Sequence, residues 1–359
     1  MNEQRLQQVR SNLRLMDLDQ MVIVDPVSIA YLTGYRNDPM ERFQALYVAA
    51  DNEPTIFVNK LFPDPSGYVD SIITLDDTDD PVDALAQLCI HDAPLGIDRG
   101  LEARWLLPLM DAQAASAYRL ASSAVDDARA HKDPTEQQAM AEASAINDQG
   151  MAWLKSQIKE GVTERQIAEG LETEYRRLGA WGNSFAPIVS FGANAADPHH
   201  EPDDTKLTRG QCVLFDVGCA ANDYCADMTR TFFFGEPSEE FERVHATVVA
   251  ANRAAEAMVV PGVTFAQIDA AARQVIEDAG YGPYFTHRLG HSIGLEVHEP
   301  GDVSSAHNDP VEPGMCFSIE PGIYLPGRLG VRIEDLVIVT QDGCQVLNHY
   351  PKDLECIKA

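Results

Sequence analysis

Apolar positions recur at helical spacing along residues 4–16, where Leu6, Val9, Leu13 and Met16 share one face. Short apolar runs follow at Met21–Val24, Ala45–Ala49 and Thr55–Val58, and each reads as a strand. The turn Asp51-Asn-Glu-Pro54 separates the last two. Residues 81–90 and the stretch Leu101–Leu120 carry helix-like patterns on either side of Gly96-Ile-Asp98. Helices alternating with strands predict a small α/β domain over residues 1–125. His91 stands alone there, so it reads as structural. The polar stretch Ser122–Asp133 marks a boundary, and a second domain occupies residues 126–359. It opens on a long helix, with Asp133 as N-cap, Pro134 in the first turn and Glu136 three residues on, running to about Lys159.

The second domain repeats itself. Gly161-Val-Thr-Glu-Arg-Gln-Ile167 matches Gly262-Val-Thr-Phe-Ala-Gln-Ile268, and Leu178-Gly179 aligns with Ala279-Gly280 at the same offset. Each copy predicts a helix, a Gly-Val-Thr start, a second helix, a glycine stop and then strands. Such a duplication implies a pseudo-twofold domain with a site at the seam.

Both copies place acids inside apolar strands. Cys212–Cys219 and Tyr224–Phe234 predict a hairpin, and pairing Ala220 with Asp223 sets Asp216 opposite Asp227. Any single acid among 56 is best read as a surface group. Two carboxylates opposed within apolar strands repel each other and are costly to bury, which calls for a cation between them. Met315–Tyr324 and Gly330–Val339 repeat the pattern: pairing about Gly327 sets Glu320 opposite Glu334. Between the pairs, His287, His291 and His298 fall within twelve residues. His291 and His298 are seven apart, so a bulge or turn at Gly294 is needed for both to face one site. Two acid pairs and one histidine make five ligands, suited to two divalent ions, with Mn²⁺ ahead of Zn²⁺ or Co²⁺.

The formal charge of −29 excludes nucleic acid and anionic membrane as partners. No apolar run is long enough to span a bilayer, and the first residues lack a signal-peptide apolar region. Seven cysteines without CxxC spacing predict neither a disulfide framework nor a zinc ribbon, which fits a reducing cytoplasm.

The motifs Asp216-Val-Gly, Tyr224-Cys-Ala-Asp-Met-Thr-Arg-Thr231, His287-Arg-Leu-Gly-His-Ser-Ile-Gly-Leu-Glu-Val-His-Glu299, Ile319-Glu-Pro-Gly-Ile-Tyr324 and Val331-Arg-Ile-Glu-Asp335 resemble those of the pita-bread metallopeptidases. The chain is most similar to the bacterial prolidases, or Xaa-Pro dipeptidases. Asp25-Pro-Val-Ser-Ile-Ala-Tyr-Leu-Thr-Gly-Tyr35 is similar to the amino-terminal domain shared by prolidase, aminopeptidase P and creatinase. The resemblance implies a creatinase/prolidase-like α/β domain followed by a pita-bread catalytic domain, α/β (α+β) in class. It implies Asp216, Asp227, His291, Glu320 and Glu334 as metal ligands, with Asp227 and Glu334 bridging two ions that share a hydroxide nucleophile. Glu320 then receives and passes the proton. His298 stabilises the oxyanion or protonates the leaving nitrogen, His199 faces substrate ahead of its neighbour His200, and His287 lines the substrate pocket. Arg332 orders the site or meets a carboxylate. The implied substrate is a small Xaa-Pro peptide, and the implied assembly is a homodimer.

In one respect the chain departs from this pattern. Some prolidases anchor the substrate carboxylate on an arginine in the loop corresponding to Val303–Asp309, and that loop has none here. His307, Arg332, or Arg36 or Arg42 of a partner subunit are candidate replacements. The departure keeps aminopeptidase P, acting on longer Xaa-Pro peptides, as the alternative. A non-catalytic pita-bread binding protein would be expected to lack a ligand, and none is missing. A metal-storage or purely structural site would not need His199, His287 and His298 nearby.

Overall fold

In the computed structural model, which describes residues 1–358, the chain divides into one unit over Met1–Arg129 and another from Ala130 onward. The first unit is built on a six-stranded sheet of β1 (Gln20–Ile23), β2 (Ala45–Ala49), β3 (Thr55–Asn59), β4 (Ser71–Leu75), β5 (Pro94–Ile97) and β6 (Ala117–Leu120). The order is β4-β3-β2-β1-β5-β6. Every residue of β1, β2 and β3 is buried, so these strands carry continuous apolar runs rather than alternating ones. The helices are α1 (Glu3–Leu15), α2 (Pro26–Thr33), α3 (Pro81–Ala86), α4 (Ala103–Asp111) and α5 (Ser123–Ala130). Leu6, Val9 and Leu13 form the buried stripe of α1, as their spacing predicts.

The expected helix over Leu101–Leu120 is not continuous. Helix α4 ends at Asp111, Gln113 takes a left-handed φ of 53°, and Ala117–Leu120 becomes an edge strand parallel to β5. Leu120 is 69% exposed. Its apolar character mimicked a helix face that packs against nothing.

The second unit contains α6 (Pro134–Gln157), α7 (Glu164–Leu178), α8 (Glu239–Met258) and α9 (Phe265–Asp278). Asp133 and Glu136 form the reciprocal capping box expected at the start of α6. The duplication is visible in the hydrogen bonds. Thr163 with Gln166 and Thr264 with Gln267 form matching capping boxes on α7 and α9. Gly161 N donates to Leu207 O, and Gly262 N donates to Val311 O. Both glycines need positive φ (80° and 91°), which a side chain would strain. Buried Asn147 and Asn252, on the first helix of each copy, donate to Val217 O and Ile319 O beside the two acid pairs.

Each copy packs its helices chiefly on its own strands, while Phe241 of α8 also meets Phe233 of the first copy. The first contributes β7 (Gly182–Asn183), β8 (Ile188–Phe191), β9 (Gln211–Val217), β10 (Cys219–Ala221), β11 (Tyr224–Cys225) and β12 (Met228–Phe234). The second contributes β13 (Gly290–Ser292), β14 (Glu299–Val303), β15 (Cys316–Ile319), β16 (Gly322–Leu325), β17 (Leu329–Arg332) and β18 (Asp335–Val339), followed by β19 (Cys344–Val346) and β20 (Cys356–Ile357). One core joins Leu154, Leu171, Phe215 and Phe232; the other joins Val248, Ile268, Phe317 and Val337. The β9–β12 and β15–β18 ladders carry the acids.

Candidate metal centre

The first acid pair is not directly opposed. Asn222 and Asp223 both take positive φ (51° and 74°), the backbone of a two-residue primed turn, so the hairpin closes on Ala221 and Tyr224. That turn moves each partner two residues along from the expected pairing of Ala220 with Asp223, since Ala220 pairs with Cys225 instead. Thr229 therefore faces Asp216, and Asp227 lies two residues before it on the same face, in the gap between β11 and β12. A diagonal pair still converges from one side of the sheet. The second pair follows the expected register. Ile319 pairs with Asp335 and Gly322 with Arg332, which leaves Glu320 and Glu334 facing each other in the break between the two ladders.

His291 joins them from β13. A register shift between His291 and Ser292, then a loop over Ile293–His298, brings the His298 ring to 4.3 Å from the His291 ring at 70°. The loop wraps a buried carboxylate. Glu299 accepts from Leu295 N (3.0 Å) and from the buried Lys132 ammonium (2.9 Å). A Cβ at Gly294 would fall 2.7 Å from Glu299 Oε2, so only glycine permits this wrap. Lys132 sits in the polar stretch read as a boundary, and sequence reasoning missed its role.

One ligand atom each from Asp227, His291 and Glu334 can lie within 4.8 Å of the other two. His291 Nε2 is 3.7 Å from Asp227 Oδ2 and 3.5 Å from Glu320 Oε1, too far for hydrogen bonds but suited to a shared ion. His291 Nδ1 contacts Ser292 O at 3.2 Å, which places the proton there and leaves Nε2 as a lone pair facing the acids. Burial, with the charge of His298 added, pushes the His291 imidazolium down to about 3, so the ring is neutral. Asp216 Oδ1 and Asp227 Oδ1 are buried with no hydrogen-bond partner. Burial first, then the neighbouring carboxylates, holds Asp227 and Glu334 well above the usual carboxylate range. Glu320 is pushed up to about 7 by burial, against the opposing pull of Arg332.

These four carboxylates face a single buried guanidinium. Arg332 donates to Asp216 Oδ2 (2.5 Å), Thr229 Oγ1 (3.1 Å) and the Tyr324 hydroxyl (2.8 Å). A cluster so far from neutrality needs further cations or protons. Carboxylate oxygens with one neutral imidazole form a donor set for divalent ions such as Mn²⁺, Co²⁺ or Zn²⁺. The orphaned oxygens and the free Nε2 lone pair are the atoms such ions would take.

A supporting layer orients the acids. Thr229 Oγ1 donates to Glu334 Oε2 (2.7 Å), and Ser318 Oγ donates to Glu320 Oε1 (3.1 Å). His287 Nδ1 donates to Arg288 O (2.7 Å), so its Nε2 accepts from the Tyr324 hydroxyl (2.9 Å). A chain of hydrogen bonds therefore runs Asp216–Arg332–Tyr324–His287. Thr229, Ser318 and Tyr324 were not singled out from sequence. Strand alternation carried the signal: Thr229 follows Asp227 by two, and Tyr324 follows Glu320 by four, on the same face.

All nine site residues expected from sequence line one cavity of about 400 Å³. Phe185, Ile188, Pro198 and Val297 supply its apolar walls. His199 reaches it from the turn after a short 3-10 helix, Gly192–Ala196. His200 turns away to Glu164. His307 stacks on Phe265 and bonds Asp302 O, outside the lining.

Residues 138–341 match the model of metallopeptidase family M24, and residues 5–131 match the creatinase/prolidase N-terminal domain. An uncharacterised peptidase of Staphylococcus epidermidis is 38% identical over 355 residues, spanning 97% of this chain and 99% of its own. The structure of a dipeptidase from Mycobacterium ulcerans superposes with a TM-score of 0.93 at 36% identity, covering 99% of this chain and 98% of that one. An Xaa-Pro dipeptidase from Bacillus anthracis superposes with a TM-score of 0.90 at 28% identity, covering 99% of both. Matches across both units at this identity and coverage make the chain a member of metallopeptidase family M24, a peptidase of the pita-bread fold with a creatinase/prolidase-type N-terminal domain.

Proposed function

We propose that the protein hydrolyses the Xaa-Pro bond of dipeptides, using two divalent ions held by Asp216, Asp227, His291, Glu320 and Glu334. The observation that carries this reading is the convergence of four carboxylates, three of them buried, and the neutral His291 on a cavity of about 400 Å³, a volume suited to a small peptide. The names of the dipeptidase and Xaa-Pro dipeptidase neighbours support the substrate class.

When bound, the ions supply Lewis-acid polarisation of the scissile carbonyl and an activated water. The protein's own groups handle the protons. Water attack on the carbonyl carbon releases a proton to the Glu320 carboxylate, whose Oε1 is steadied by Ser318. Glu320 returns that proton to the proline nitrogen as the C–N bond breaks. The His298 ring, neutral because burial lowers its proton affinity, donates its N–H to the carbonyl oxygen as negative charge develops. His199 and His287 bound the substrate side of the cavity. Arg332 holds Asp216 in place rather than meeting substrate.

Mn²⁺ is the proposed native metal. A homodimer follows from the family resemblance alone. A reducing cytoplasm is consistent with seven cysteines that are all free thiols. No helix among the described residues is long and apolar enough to cross a membrane.

The absence of an arginine in Val303–Asp309 favours a second reading, aminopeptidase P action on longer peptides. One experiment separates the two: metal-stripped protein is reloaded with Mn²⁺ and assayed on Leu-Pro beside a longer Xaa-Pro peptide. Cleavage of Leu-Pro alone supports the dipeptidase; cleavage of the longer peptide selects the second reading. No cleavage of either by the metal-loaded protein overturns both.

A further inference from the structure

A dipeptide is charged at both ends. Its termini lie about 7 Å apart when extended, so a substrate whose amine meets the acid cluster carries its carboxylate to a nearby wall of the same cavity. The four carboxylates lining that cavity are the proposed ligands of the ions and offer it no donor. A dipeptidase therefore needs an anion receptor here, and the Val303–Asp309 loop offers no guanidinium.

Two guanidinium groups line the cavity, Arg288 and Arg332. Arg332 is 2% exposed and already donates to Asp216, Thr229 and Tyr324. Arg288 is different. Its side chain is exposed and, among the described residues, makes no hydrogen bond or ion pair. In a chain with a formal charge of −29, an arginine on a wall shared with four carboxylates yet paired with none is a cation left available.

Its backbone, by contrast, is fixed. His287 Nδ1 donates to Arg288 O. The next residue is held in both directions, with Leu289 N donating to Val303 O and Glu320 N donating to Leu289 O. Arg288 thus projects from a backbone tied to the acid-bearing strand, three residues before His291. Its charge is felt at His291, His298 and Glu320, which places it beside the reacting end of the cavity.

Resting on the Xaa-Pro dipeptidase reading, we propose that Arg288 is the receptor for the substrate's C-terminal carboxylate and the residue that sets the preference for dipeptides. A guanidinium offers two parallel N–H donors to a carboxylate. An amide or an extended peptide at that position presents no full negative charge, so it forgoes the charge-assisted pair. A charge-assisted hydrogen bond contributes enough to change a rate ratio by about 10- to 100-fold.

The test compares Leu-Pro with Leu-Pro amide on the Mn²⁺-loaded full chain, for the natural protein, Arg288→Ala and Arg288→Lys. The natural protein is expected to prefer the free acid. In Arg288→Ala the acid-over-amide ratio of kcat/KM falls by about 10- to 100-fold, mainly through KM, because the contact is made in ground state and transition state alike. Arg288→Lys restores part of the ratio, since a point charge survives without the fork. A ratio unchanged in Arg288→Ala overturns the proposal. So does a selective loss of Asp-Pro over Leu-Pro hydrolysis, which would place Arg288 against the first residue's side chain. If the natural protein cleaves neither compound with metal bound, the dipeptidase reading fails first and the anchor falls with it. Cleavage of both at equal rates leaves the peptidase standing and removes the anchor alone.

Discussion

Glu164 and His200 share a hydrogen bond of 2.7 Å that ties the first turn of helix α7 to the loop bearing His199. The Glu164 side chain is fully buried. Oε1 accepts from Phe191 N and Asn194 Nδ2; Oε2 accepts from His200 and Asp203 N. With Asp203 the pair has the spacing of a metal group. Both Glu164 oxygens are already taken by N–H donors, however, so the arrangement is a clamp on the loop. It fixes Gly192–Ala196 and the turn beyond, and so determines where His199 enters the cavity.

Replacing that carboxylate tests the clamp. Glu164→Gln turns an amide N–H₂ toward donors that need acceptors, which costs about 1–3 kcal/mol for a buried group. The expected outcome is a fall of about tenfold in kcat/KM with metal stoichiometry unchanged, because the five proposed ligands lie elsewhere. Elemental analysis beside steady-state kinetics checks it. Loss of metal together with activity would contradict the clamp.

The buried ion pair of Lys132 and Glu299 makes a separate stability prediction. Lys132→Met takes the ammonium partner away from the buried Glu299 carboxylate, and is expected to cost about 3–5 kcal/mol in urea unfolding. Lys132→Met combined with Glu299→Gln removes the stranded charge and recovers part of that loss. If the double variant is no more stable than the single, the charge was not the source of the damage. Because Glu299 also holds the Ile293–His298 loop through Leu295 N, both variants are expected to lower kcat.

Much of the site is legible in the strands themselves. Acids inside apolar runs, the repeated Gly-Val-Thr starts and the Asp133 cap each follow from local rules, and the register about Gly327 follows from a short loop. The β9–β12 register does not follow. It depends on Asn222 and Asp223 adopting left-handed backbone, while Ala221 reads equally well as a turn residue. Lys132 and Glu299 are 167 residues apart, so polarity alone made Lys132 look like linker. Arg288 is hidden for a similar reason: its importance lies in what it does not contact, which no spacing records.

Metal removal carries a pH signature whose sign follows from burial. In the stripped protein Glu320 is raised to about 7, and Asp227 and Glu334 are raised as well, so the native state binds more protons than the unfolded chain. Their contribution is fully present below the ordinary carboxylate range near 4.5 and is lost as pH rises through the raised values. The stripped protein is therefore expected to lose stability between pH 5 and pH 8. Loading Mn²⁺ keeps the carboxylates ionised and paired, which removes this loss. Thermal unfolding at pH 5.5 and pH 8, stripped and loaded, checks it. The loaded-minus-stripped difference in Tm is expected to widen by several degrees at pH 8. A difference that narrows instead would place the cations elsewhere.

His291 and His298, with rings 4.3 Å apart, are predicted to fail in opposite ways. His291 presents its Nε2 lone pair to Asp227 and Glu320, so His291→Ala is expected to lose bound metal and, with it, nearly all activity. His298 is exposed, and it is not one of the buried trio Asp227, His291 and Glu334 whose ligand atoms lie mutually within 4.8 Å. His298→Ala is expected to keep its metal and its KM while kcat falls about 100- to 1,000-fold, the usual loss when a donor to a developing oxyanion is removed. Metal content by elemental analysis, read beside kcat and KM, distinguishes them. Equal metal loss in both variants would make His298 a ligand and leave the oxyanion without its proposed donor.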